Sequence, residues 1–410
     1  MTDAEASESG TSADAKGTPA EVFFAFLKLG VSCFGGPIAH LGYFREEFVA
    51  RRKWLKEEAY ADLIALAQFL PGPASSQVGF SIGLLRAGWR GGLMAFLAFT
   101  LPSALLMLGF AYGARLLNGR WGDGLLHGLR LVAVAVVAQA VIGMARRLCP
   151  DFVRAVIAIV VVLMILASGS SAMQIAAIAL GGIVGLIFCR SETQPTGEAL
   201  SVPISPGAGI VFIALYFILL GGLPLLAHLT TSTGVALFES FYRSGALVFG
   251  GGHVVLPLLR QAVVAPGWVS DQAFLNGYGA AQALPGPLFT FAAYLGAIVK
   301  TPPNGIAGAA IALIAIFLPG LLAMSGTLSF WDRFRRQPQA QAAMGGINAA
   351  VVGLLAAALY NPLWTTSVKT LGDVVLALIG FALLTLAKAP PILVVIASAL
   401  GGIALAFLNL

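Results

Sequence analysis

FLPGPASSQVGF (Phe69–Phe80) and ALPGPLFTFAAY (Ala283–Tyr294) write Leu-Pro-Gly-Pro twice, each time within an apolar stretch. Proline removes a helical hydrogen bond and clashes with the preceding turn, so a helix stops at each motif. What the stop means depends on the solvent around it. In water it is an ordinary loop. Inside a bilayer, broken backbone survives only where protein or a water-filled cavity satisfies it.

The composition decides for the bilayer. Of 410 residues, 58% are hydrophobic and 10% charged, with a mean hydropathy of +0.90, whereas a soluble domain carries roughly 25% charge. Runs such as Gly92–Tyr112, Phe152–Gly169 and Ile392–Leu408 approach the roughly 20 residues that cross a hydrocarbon core of about 30 Å. The expected fold is an all-α polytopic membrane protein. Met1 to Ala20 reads as a disordered polar tail, since it lacks the basic start and cleavable apolar core of a signal peptide. The net charge of +6 falls mostly in short connections, as topology-setting Lys and Arg do, rather than in a nucleic-acid patch. Cys33, Cys149 and Cys189 show no CxxC spacing, and no hydrolase, metal or nucleotide motif is present. Neither enzymatic activity nor a cofactor is expected.

The second half rewrites the first in order. Phe34 of LGVSCFGGP (Leu29–Pro37) faces Phe249 of SGALVFGGG (Ser244–Gly252) at an offset of 215. Trp54 faces Trp268, Gln68 faces Gln282 and Pro71 faces Pro285 at 214, and Pro102 faces Pro319 at 217. We expect a polar tail over 1–20, a first repeat over 21–190, a linker over 191–206 and a second repeat over 207–410. Duplicated membrane halves are a common build for carriers that alternate access.

The Pro-Gly-Pro and Phe-Gly-Gly breaks cut four segments into arms of about 12 residues, or about 18 Å, too short to cross. If these return to their own side as hairpins, about nine full spans remain. Five of them lie between the repeats, an odd number that inverts the second repeat. Charge agrees with that reading. One side collects Arg45, Arg51, Arg52, Lys53, Lys56, Arg86, Arg90, Arg146, Arg147, Arg333, Arg335 and Arg336; the other keeps Arg115, Arg120, Arg260, Lys300 and Lys369.

Each Pro-Gly-Pro opens a half-helix whose free N–H groups and positive dipole end suit an oxyanion. The candidate substrate-binding residues follow from this. In the first half they are Gln68, Pro71, Gly72, Pro73, Ser75, Ser76 and Gln77; in the second, Gln282, Pro285, Gly286, Pro287 and Thr290. Gly35, Gly36 and Pro37, with Gly250, Gly251 and Gly252, mark the companion breaks. Ser75 and Ser76 also read as helix caps, and Gln68 and Gln282 as bonds to the loop itself. Lys28 and Arg243 each stand six residues before the Phe of Phe-Gly-Gly. They read as a cation pair for a dianion or as snorkelling side chains. His40, Asp62 and His253 are the proton-coupling candidates. The histidines read also as structural residues. Asp62, whose repeat partner is Asn276, reads also as a helix-start acid.

FLKLGVSCFGGPIAHLGYFREEFVARRKWL, ADLIALAQFLPGPASSQVGFSIGLLRAG, and VFGGGHVVLPLL with GYGAAQALPGPLFTFAAYLGA resemble the two signature regions of the long-chain chromate transporter family. The resemblance runs from about Phe23 to Tyr360. It implies a multi-pass protein of the bacterial cytoplasmic membrane that exports chromate on the proton-motive force and confers chromate resistance. The family's motifs fall on Phe34, Gly35, Gly36, Pro37, His40, Pro71, Gly72 and Pro73, and on Gly250, Gly251, Gly252, His253, Pro285, Gly286 and Pro287. Ala67 stands where many relatives carry Cys. Chromate is a tetrahedral dianion much like sulfate, so a proton-coupled carrier of sulfate or another oxyanion is the alternative. A membrane enzyme or sensor is the third reading, without a nucleophile, metal cluster or signalling domain to carry it. The implied partners are chromate, protons and lipid, and the residues admit a homodimer without setting the oligomeric state.

Overall fold

The computed structural model describes residues 17–34, 36–114, 119–168, 171–189, 203–249, 254–331 and 337–408, and these contain helices and connecting turns but no strand. Gly35, Gly250, Gly251, Gly252 and His253 lie outside the described residues, as do Arg115, Arg333, Arg335, Arg336 and most of the expected tail and linker. The first half comprises α1 (Pro19–Ser32), α2 (Gly36–Phe44) running into a π-turn at Arg45–Arg51, α3 (Glu57–Phe69), α4 (Ala74–Gly113), α5 (Gly119–Leu148), α6 (Phe152–Ser168) and α7 (Ser171–Phe188). After α8 (Pro206–Leu229) come α9 (Thr233–Ala246), α10 (Val255–Val263) and α11 (Asp271–Ala281). A 3-10 turn at Leu288–Thr290 leads into α12 (Phe291–Ile298), followed by α13 (Gly305–Leu328), α14 (Pro338–Ala358), α15 (Leu371–Thr385) and α16 (Pro391–Leu408).

The repeat holds element by element, with α1 answering α9 and α7 answering α16. The long α4 is two helices: its backbone leaves helical geometry at Ala87 and at Gly88, where φ is +64. The second half breaks the chain at the same place, with Gly305 at φ +59 opening α13. The arm Ala74–Arg86 therefore answers α12, and the arm Gly88–Gly113 answers α13. Helix α8 has no counterpart among the described residues of the first half.

Contacts at the chain's turning points show where each arm goes. The Gly17 N–H donates to the Arg86 carbonyl at 3.0 Å, and Glu21 pairs with both Arg86 and Arg52. The Arg52 and Arg86 guanidinium groups each lie 5.2 Å from the centre of the Trp54 ring. The start of α1, the π-turn, the start of α3 and the end of the first α4 arm thus share one face. Both first-half segments enter from that face, break at Phe34 and at Pro71–Pro73, and return to it. The second half does the same: Thr233 bonds the Pro302 carbonyl, and Lys300 N–H donates to the Trp268 carbonyl at 3.2 Å.

These two faces are opposite. The second arm of α4, roughly 39 Å long, leaves from beside Arg86 and brings the Tyr112 hydroxyl against Gly305. Helix α13 runs back, and Leu328 and Trp331 near its end join the first half's core with Phe26 and Phe44. The second repeat is therefore inverted. Among the described residues six helices, α4, α5, α8, α13, α14 and α16, are long and apolar enough to cross a membrane, and α6, α7 and α15 are shorter apolar helices. Five of these nine, α4 to α8, lie between the two hairpin pairs. Arg45, Arg51, Arg52, Lys53, Lys56, Arg86, Arg90, Arg146 and Arg147 gather at the first face; Arg120, Arg260, Lys300 and Lys369 at the second.

The halves interlock. Helix α5 lies along α15 and α16 of the other half, and α14 along α6 and α7. Small residues let these backbones touch: Gly124 faces Gly402 and Gly181 faces Gly346. Outside, α8 exposes Phe217 and Ile218 by 62% and 66%, a face suited to lipid.

On the first face the connector FREEFVARRKWLKEE buries Glu47, which pairs with Arg51 and Arg52. Burial opposes its ionisation, but hydrogen bonds from Arg51 and Arg52 outweigh burial and hold its carboxyl below the usual carboxylate range. Asp62 corrects an expectation. Helix α3 opens at Glu57 and Glu58, as α11 opens at Asp271, so Asp62 sits in the second turn and is not a helix-start acid.

Candidate functional site

The four hairpin arms meet at their breaks. The Gly72 N–H donates to the Val248 carbonyl at 2.8 Å, and the Gly286 N–H donates to the Cys33 carbonyl at 2.9 Å. These bonds occupy equivalent positions of the two repeats, so each Pro-Gly-Pro tip is tied to the Phe-Gly-Gly break of the other half. Both tips need positive φ, +118 at Gly72 and +90 at Gly286, which is why glycine stands between the prolines. Each tip also seats on the other half's crossing helix. A Cβ at Gly72 would stand 2.7 Å from Gly320 Cα, and one at Gly286 3.1 Å from Ser103 Cβ.

Two expected ligand donors are committed to these seats. Gln77 Nε2 donates to the Pro71 and Gly320 carbonyls at 2.9 and 3.0 Å. Thr290 Oγ1 donates to the Pro287 carbonyl at 2.8 Å and lies 2.7 Å from Ser103 Oγ. Ser76, the repeat partner of Thr290, keeps a buried hydroxyl with no hydrogen-bond partner, as does Gln77 Oε1. Ser75 Oγ lies 3.4 Å from Nδ1 of the buried His40. Pro73 occupies the N-cap of α4, with no side-chain cap.

Beside the Gly286 tip is a cavity of about 60 Å³, lined by Gly36, Gln139, Gln282, Gly286, Leu288 and Leu384 among others. On the measure by which one water occupies about 10–15 Å³, it admits several water-sized atoms, enough for the oxygens of a small oxyanion. Gly36 opens α2 and Leu288 opens the turn into α12, so two helix N-termini border it. Gln139 uses one N–H on the Leu384 carbonyl at 3.2 Å, and an amide has a second to offer. Among the described residues no Lys, Arg, Asp or Glu lines the cavity.

Of the residues expected from sequence, Gly36, Gln282 and Gly286 line this cavity, and Pro71, Gly72, Pro73, Pro285 and Pro287 build the buried tips. The rest stand apart. Gln68 is exposed, and Pro37 and Asp62 are half-buried off the cavity. Lys28 is exposed on α1. Arg243 is half-buried with Nε 2.7 Å from Glu239 Oε1, and it faces a separate cleft with Gln174, Ser244 and Gln261. The two cations match in sequence but not in setting, because the place of Glu239 is taken by Phe24 in the first half. Sequence reasoning missed Gln139. Its signal was available: it is the lone amide in LVAVAVVAQAVIG (Leu131–Gly143).

A family profile described as chromate transporter matches residues 20–186 and 235–403. The chain is 28% identical over 404 residues to a probable chromate transport protein of Synechococcus elongatus, covering 92% of this chain and 93% of that one. It is 28% identical over 343 residues to a chromate transport protein of Pseudomonas aeruginosa, covering 82% and 79%. It is 27% identical over 398 residues to a chromate transport protein of Cupriavidus metallidurans, covering 94% and 92%. No solved structure matches the chain.

Proposed function

The chain belongs to the chromate transporter family, and from that premise we propose that it exports chromate across the bacterial inner membrane, driven by proton entry, and so confers chromate resistance. The observation that carries the reading is the cavity where two inverted hairpin systems meet, bordered by two helix N-termini and two glutamine amides. Each N-terminus supplies roughly half a positive charge, and N–H donors aimed at an anion replace its hydration. The lining offers a tetrahedral dianion partial charges and neutral donors, which bind it without holding it irreversibly. The first face, rich in Arg and Lys, is the cytoplasmic one by the positive-inside rule. Inverted halves joined at their tips favour a rocking motion that opens the site to either face. Residues Gly36, Gln139 and Gln282 hold the anion beside the Gly286 tip, and the Gly72 and Gly286 tips hold the halves together.

The test is chromate uptake into inverted membrane vesicles with an imposed inside-acid gradient, with excess sulfate in parallel. Gradient-driven uptake that sulfate barely blocks is the expected result. Uptake abolished by sulfate assigns the site to oxyanions in general, and absence of uptake under both conditions overturns the reading.

A further inference from the structure

We propose that His127, held between Asp373 and Arg130 where α5 and α15 meet the second face, is the group that carries the coupling proton. The proposal rests on the carrier reading above and adds the residue that reads the proton gradient. Asp373 is only 2% exposed. Its Oδ1 lies 2.5 Å from His127 Nε2, while its Oδ2 accepts from the Lys369 and Thr370 N–H groups at 2.9 and 3.0 Å. Two backbone N–H donors already occupy Oδ2, and an ionised carboxylate only accepts, so the proton in the short contact with Oδ1 is carried by His127 Nε2. The other ring nitrogen, Nδ1, lies 3.2 Å from an Arg130 amino group. A guanidinium has donors only, so this contact exists while Nδ1 carries its lone pair. A proton arriving at Nδ1 sets donor against donor and cation against cation, and Arg130 must leave. Proton and Arg130 therefore exclude each other at one atom. Arg130 Nε is buried without a hydrogen-bond partner.

The pair stands at the outer end of a seam that leads to the cavity. His127 meets Asp373, Ala135 packs against Gly380, and Gln139 bonds Leu384, so α5 and α15 run side by side in one direction. From His127 to Val136 in the cavity wall is about 14 Å along α5. Other charges nearby are few. Asp123 also acts on Arg130, Lys369 turns to the Thr365 carbonyl, and Asp271 on α11 is paired with Arg260. Helix α11 otherwise brings the titratable Tyr278, while α14 and α16 carry no titratable residue. At the repeat-related place on the first face, Arg154 lies over Gly345, so among the described residues the acid–histidine pair stands at the second face alone.

The test uses the full chain in proteoliposomes, comparing chromate exchange at equal pH with accumulation driven by a pH gradient. His127→Gln is expected to retain exchange and to lose accumulation down to the gradient-free level, and Asp373→Asn to follow it. Arg130→Gln is expected to move the pH dependence of accumulation toward higher pH. Wild-type accumulation in His127→Gln overturns the proposal. So does loss of exchange in both His127→Gln and Asp373→Asn at wild-type abundance, which would make the pair part of the path or the scaffold. A wild-type chain that exchanges no chromate counts against the carrier reading instead. The proposal is then decided by nitrogen NMR of the His127 ring, identified by its loss in His127→Gln. Nδ1 gaining a proton on Arg130→Gln at unchanged pH supports it, and Nδ1 staying bare overturns it.

Discussion

Gly72→Ala tests the seating of the first Pro-Gly-Pro tip on the other half. Gly72 has φ +118, and a Cβ there would meet Gly320 Cα at 2.7 Å. Left-handed backbone costs an L side chain about 1–2 kcal/mol, and a methyl forced into packed backbone about 1–3 kcal/mol, so tip docking should weaken by about 2–5 kcal/mol. The Gly72–Val248 hydrogen bond is strained at the same time. Two other alanine variants calibrate the figure. Gly36 has φ +77 but nothing within 4 Å of its Cβ position, so Gly36→Ala should cost only the strain, about 1–2 kcal/mol. Gly109 has open space and no positive φ, so Gly109→Ala should be neutral or mildly stabilising. Thermal unfolding of the detergent-solubilised protein, with chromate exchange measured on the same preparations, gives the order. We expect Gly72→Ala to be the least stable and to lose exchange. Equal stability of Gly72→Ala and wild type, or a larger loss in Gly36→Ala than in Gly72→Ala, refutes the tip-seating argument.

Further predictions concern the site, the connector and the topology. Gln139→Leu and Gln282→Leu should each raise the KM for chromate about tenfold or more, since a hydrogen bond to a charged group contributes about 1.5–3 kcal/mol, with membrane abundance unchanged; an unaltered KM removes that residue from the site. Glu47→Gln should lower thermal stability at neutral pH. Because the folded carboxyl titrates below its ordinary value of 4.5, its contribution is present above that value and fades as pH falls through the lower folded one. Unfolding curves of the two proteins should therefore converge below about pH 4.5, and a gap persisting in strong acid contradicts the ion-pair account. Cysteines placed at Lys53 and Gly267 should label from opposite sides of the membrane with an impermeant thiol reagent, and labelling from one side contradicts the inversion.

Much of the architecture was legible because breaks are written in the residues that make them. Pro-Gly-Pro recurs at Pro71 and Pro285, and the 214-residue offset brings Trp54 onto Trp268, which sit at matching turns in space. The kink at Ala87–Gly88 falls between Arg86 and Arg90, where the charged residues separate the short arm from the run Gly92–Tyr112. Its twin in the second half is the open turn before Gly305. The site was legible in part. Glycines and prolines at the tips are dictated by local backbone, but the fate of Gln77 and Thr290 depends on Gly320 and Ser103 in the other half. Lys28 and Arg243 share a register, yet Glu239 on one turn and Phe24 on the other give them different surroundings. His127 and Asp373 are 246 residues apart, and nothing local to either predicts the pair.

The central claim is that chromate sits where the inverted hairpins meet, and protection of a single thiol tests it most directly. In an otherwise cysteine-free chain, Gln139→Cys is labelled with a small thiol reagent in membranes, with and without chromate, and with sulfate as a comparison. Chromate slowing the labelling at Gln139→Cys, while leaving a cysteine at exposed Lys53 unaffected, is the predicted result. Full labelling at Gln139→Cys under saturating chromate, in a variant that still transports, contradicts the account.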